Sequence, residues 1–99
     1  MKVILGKASA SSKNEKFPKG EIHAVLMFVK TKDKDKAQKV AEIKVQKHGW
    51  SKIKMSRIGS VNLETFKSGD VHIQKALSSA IDSGFGLMVY PEIENDLNL

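Results

Sequence analysis

The chain has no cysteine, one arginine, two prolines and six aromatic residues among its 99 positions. Without cysteine there can be no disulfide framework, no thiolate metal site and no cysteine nucleophile. Arginine is the residue best suited to bidentate contacts with phosphates and base edges, and Arg57 stands alone. So few aromatics, scattered as they are, form no stacking pattern of the kind that RNA-binding sheets use. The N-terminal apolar stretch Val3-Ile4-Leu5 ends at Gly6-Lys7, too short for a signal-peptide core or a membrane span. These absences lead to an expectation of a cytoplasmic protein with no membrane contact.

What is present is lysine. Residues 1–54 hold 14 lysines against five acids, whereas residues 55–99 hold three basic residues against six acids. The net charge is +6. A surplus made of lysine favours general attraction of anions over reading of a base sequence. Hydrophobic residues make up 40%, enough for one core and too many for a disordered chain.

Apolar spacing predicts the elements. Residues 2–8 read as a short strand. Residues 9–20 lose all hydrophobic pattern and read as a mobile loop, with Phe17 available to pin it. Residues 21–31 are the best strand, because Ala24 to Val29 is apolar at every position. That continuity predicts a central strand buried at least partly on both faces. An Asp within Lys32–Lys36 can cap a helix running to about Lys47, with Ala37, Val40, Ala41, Lys44, Val45 and His48 at helical spacing and Ile43 widening the stripe. Residues 51–61 alternate, which predicts Ile53, Met55, Arg57, Gly59 and Val61 on one face. Leu63 and Phe66 anchor the connection that follows. Asp70 caps a second helix over about 71–83, with Ile73, Ala76, Leu77, Ala80 and Ile81 as its stripe and Gly84 as its end. Phe85–Tyr90 is the last strand, stopped by Pro91.

The order β-β-α-β-α-β predicts one α+β domain over 1–91 and an acidic tail over 92–99. Its expected form is a two-layer α/β sandwich, a sheet of about four strands with both helices on one face. In plan this is similar to ferredoxin-like folds, although the strand usually found between the two helices as part of a hairpin stands here at the N-terminus.

Chemical motifs are weak. Gly6-Lys7-Ala8-Ser9 has the end of a phosphate loop, but Met1 stands where its first glycine belongs and no helix follows. Gly84-Phe85-Gly86 sits between helix and strand, the reverse of a dinucleotide fingerprint. His23, His48 and His72 are far apart in sequence, so no metal site is expected. Asp70-Val71-His72 carries two titratable groups, but neighbours two apart on a helix diverge. No serine occupies a strand-to-helix elbow. No cofactor is expected, and the reading leans away from an enzyme.

The leading expectation is a non-enzymatic binding module for an acidic protein partner or a second copy of itself, pairing edge to edge in the latter case. A small inhibitor or immunity-type protein fits this size and lack of chemistry. The candidate partner-binding residues are Lys34, Lys36, Lys39, Lys44, Lys47, His48, Trp50, Lys52 and Lys54, gathered on one positive face; a Trp just after a helix-ending Gly ordinarily packs on the core edge, and the alternative makes Trp50 an interface anchor. The same lysines support the alternative of a nucleic-acid-associated protein. A third reading, a small-ligand enzyme or sensor, calls for a pocket holding His23, Arg57 or Tyr90.

Overall fold

In the computed structural model, which describes residues 1–64, 66 and 69–94, the chain forms β1 (Lys2–Ala10), β2 (Ile22–Val29), α1 (Lys34–Lys47), β3 (Trp50–Ser60), α2 (Val71–Ser83) and β4 (Phe85–Glu94). The four strands make one sheet in the order β3-β1-β2-β4, with every neighbouring pair antiparallel. The element order is the expected one. Both helices start where an Asp predicts it. Asp33 accepts from the Asp35 and Lys36 amides, and Asp70 from those of His72 and Ile73. Each cap satisfies backbone donors that the helix cannot. Gly84 closes α2 at φ 95°.

The layering differs from the expectation. The two helices lie on opposite faces, so the domain has three layers, helix–sheet–helix. Val25, Met27 and Val29 of β2 pack in one core with Ala37, Ala41 and Val45 of α1. Phe28, between Met27 and Val29, packs in a second core with Ala76, Leu77 and Ala80 of α2. Successive side chains on a strand point to opposite faces, so these cores are on opposite sides. The cause is the apolar run Ala24–Val29: both faces of the central strand shed water only if each is covered. The ferredoxin-like plan, with its helices on one face, does not hold.

Several boundaries also move. β1 runs to Ala10, and Ala8, Ser9 and Ala10 are buried, so the pattern-poor stretch begins only at residue 11. β4 continues past Pro91 to Glu94. A missing amide is tolerated there because β4 is an edge strand and its register slips between His23 and Val25 of β2. The remainder of the expected tail, residues 95–99, lies outside the described residues. Ile43 and Ile81 are exposed at 56% and 42%, off the buried stripes of their helices.

α2 sits directly on β4. A Cβ at Gly86 would overlap the carbonyl of Ala76. Glycine there lets the helix backbone approach the strand backbone. Gly86→Ala is expected to push α2 outward and cost about 1–3 kcal/mol. A urea titration followed by circular dichroism checks this; an unchanged midpoint would mean the helix is not seated on that glycine.

Candidate functional site

At one end of the sheet, His23, Phe17 and Trp50 form a closed cluster. His23 of β2 is fully buried. Its Nδ1 donates to the Tyr90 carbonyl oxygen at 2.8 Å, and its Nε2 is 2.9 Å from Glu21 Oε1. The Phe17 ring lies 4.2 Å from the imidazole and 5.6 Å from the Trp50 ring, centre to centre. Asn14 ties the same stretch down: its carboxamide accepts from the Lys16 and Phe17 amides and donates to the Gly49 carbonyl. Phe17 thus pins the 11–21 connection, as its isolation in a polar stretch predicts. Trp50 is only 3% exposed, so it is a core residue and not an interface anchor. Packing on the sheet end holds the indole against Phe17 and His23, leaving nothing to offer a partner.

The remaining candidates divide between two sides of the sheet. Lys34, Lys36, Lys39 and Lys47 are exposed on α1, and Lys44 is half-buried. His48 caps the end of α1, its Nδ1 2.7 Å from the Lys44 carbonyl oxygen. Lys54 pairs with Lys7, and Lys7 with Ala24, positions on the face turned away from α1. Lys52, exposed on the same edge strand, has φ 50° within an irregularity of β3. The single positive face expected from the sequence is therefore split by the sheet.

His23, Arg57 and Tyr90 do not line a common pocket. His23 is sealed in the cluster above, Tyr90 packs in the α2 core and Arg57 is exposed on the edge strand. His72 is exposed in the first turn of α2, and His48 lies at the far end of α1. Among the described residues no cluster of three or more His, Asp or Glu is arranged to hold a metal. Among the described residues no helix is long and apolar enough to cross a membrane.

The most distinctive surface is one the sequence reading did not single out. α2 packs along β4 and β2 and, among the described residues, makes no contact with β1 or β3. An open groove of about 420 Å³ runs there, lined by Val3, Leu5, Leu26, Arg57, Ile58 and Gly59. Leu5 is 36% exposed in its middle. Cations flank it: Arg57 stands opposite Leu5, and Lys54 and Lys7 form the next pair along this face. Lys7 lies 3.6 Å from Glu94, whose strand partner Ile22 belongs to the same side. The alternation Met55, Arg57, Gly59 hides this arrangement in the sequence. Leu5 pairs with Arg57 and Gly6 with Met55, so Ser56 is an extra residue, a β-bulge. One extra residue turns every later side chain to the other face. Met55 stays under α1, while Arg57 points to the open side. The signal that could have revealed this is Gly6, where a Cβ would overlap the Lys54 carbonyl at the bulge.

Fold and surface together define a small three-layer α+β domain with one half-covered sheet face. Compared with known protein families, with curated proteins and with solved structures, the chain matches none of them.

Removing the Phe17 ring opens a path for water to the only tryptophan. Phe17→Ala is expected to cost about 2–4 kcal/mol, toward the lower end of core aromatic truncations because Phe17 is half-buried. Intrinsic fluorescence should shift to the red as Trp50 becomes wet. A native-like emission maximum would show that Phe17 does not seal the cluster.

Proposed function

We propose that the chain is a non-enzymatic binding module that engages an acidic protein partner through the uncovered half of the sheet. The observation that carries this reading is the open groove at the margin of the α2 core, where exposed Leu5 lies between half-buried Val3 and Leu26 and beside Arg57. Apolar surface left open on a sheet and flanked mainly by cations, here Arg57, Lys54 and a Lys7 paired with Glu94, is the anatomy of an interface. Positive flanking favours an acidic surface, which gains both burial and charge complementarity. A second copy of the chain brings the same cations to the same place, which opposes face-to-face pairing. Edge pairing is also impeded. β3 carries two register irregularities and exposed lysines, and β4 carries Pro91. The nucleic-acid reading needs a continuous positive track, and Lys54 of β3 lies on the face of the sheet turned away from the α1 lysines. A small inhibitor that neutralises an acidic protein is one form such a module takes.

The test is native mass spectrometry of the protein purified from its own host, beside the Leu5→Asp variant. Leu5 is exposed enough for the variant to fold, with a stability change of about 1 kcal/mol. The expected result is a stoichiometric complex with an acidic protein that the variant loses. A purely monomeric species, or a dimer that survives Leu5→Asp, overturns the proposal. Fluorescence anisotropy with oligonucleotides adds a second arm: binding that persists at about 150 mM salt would favour the nucleic-acid reading instead.

A further inference from the structure

The bulge at Ser56 does more than expose Arg57. It places the arginine where two hollows meet across the β3 edge. On the open face is the apolar groove beside Leu5 and Leu26. On the α1 side is a smaller hollow of about 190 Å³ whose lining includes Lys34, Gln38, Ser56 and Arg57. Arg57 lines both. Among the described residues it has no hydrogen-bond or ion-pair partner, so its five donors are available to a ligand. The backbone beneath it is fixed. Ser56 Oγ donates to the Leu5 carbonyl at 3.1 Å, and the Gly6 and Lys54 backbones meet too closely for any side chain at Gly6.

Resting on the reading of the chain as a module for an acidic protein, we propose that recognition is bipartite. The partner lays an apolar side chain into the groove beside Leu5 and Leu26. It then crosses the β3 edge to place a carboxylate between Arg57 and Lys34. Charge complementarity argues for this occupant: among the described residues the second hollow has Lys34 and Arg57 in its lining and no acid. A planar guanidinium on a rigid strand suits a carboxylate better than a mobile ammonium does. The bulge is then a recognition device, because without it Arg57 would share the α1 face with Met55.

The test is selection of displayed random dodecapeptides on the intact protein, followed by Kd measurement for the enriched sequences. The expected peptides pair Leu, Ile, Met, Phe or Trp with Asp or Glu within about three positions. Arg57→Ala is expected to weaken them about tenfold or more, Arg57→Lys by less, and Lys34→Ala by a few-fold. Lys39→Ala and Lys47→Ala, on the outer side of α1, should leave Kd unchanged. Acidic peptides that ignore Arg57→Ala and Leu5→Asp but lose affinity with the α1 variants would overturn the bipartite inference while leaving the acidic-partner reading intact. A selection that enriches no acidic sequence would overturn both. All these substitutions are at exposed positions, and matched melting temperatures confirm that a lost Kd is not lost folding.

Discussion

Everything in this fold follows from one strand that is apolar on both faces. Ala24 to Val29 cannot leave either side in water, so the sheet must be covered twice. The chain has two helices to do this, and each takes one face. A helix with its side chains is about 10 Å across, and strands are spaced about 4.8 Å apart, so one helix lying along the strands covers about two of them. α1 escapes this limit by crossing the sheet and touching all four strands. α2 lies along β4 and β2 and does not. Its half-covered face is a geometric consequence of the element count, and the groove beside Leu5 is what remains.

The seating of α2 reinforces this division. Gly86 draws the helix down onto β4, at the edge of the sheet, and Phe28 and Met88 fill the space beneath it. A helix held so close to an edge strand cannot also reach β1 and β3. Phe66 packs against the same core, its ring 6.1 Å from that of Phe28, and Val3 of β1 and Val61 pack against that core as well. Val3 and Leu26 are therefore half-buried at the boundary, and Leu5 and Arg57 stand outside it.

How much of this was legible in the residues depends on the kind of signal. Helix limits were, because Asp33, Asp70 and Gly84 act on their own nearest backbone and need no tertiary context. The number of layers was legible in principle: the unbroken apolar run in β2 demands two covers, and both helices placed on one face contradict it. The position of Trp50 after a helix-ending Gly favours packing on the core edge, but its partners Phe17 and His23 were not legible, because they come from elements distant in sequence. Arg57 was misplaced for a different reason. Two-residue alternation assumes an uninterrupted ladder, and the residue that interrupts it, Ser56, looks like any other polar position. Bulges are set by the neighbouring strand, here by the bare backbone of Gly6, and a pattern read along a single strand does not contain them.

The lysine surplus takes on a different meaning once the sheet divides it. Spread over one face, 14 lysines would act as a long-range field and bind polyanions with little regard to shape. Only seven of them lie on α1 and β3, and on the proposed reading such a divided surplus would steer an acidic molecule toward the domain rather than grip an extended phosphate chain along one track. Selectivity must then come from short-range features. Where apolar surface, an arginine with no partner among the described residues and a rigid backbone coincide, a bound protein would gain burial and directed hydrogen bonds together. In this domain they coincide at the β3 bulge. On the proposed reading, the surrounding lysines would set how fast a partner arrives, while Leu5 and Arg57 would set how long it stays.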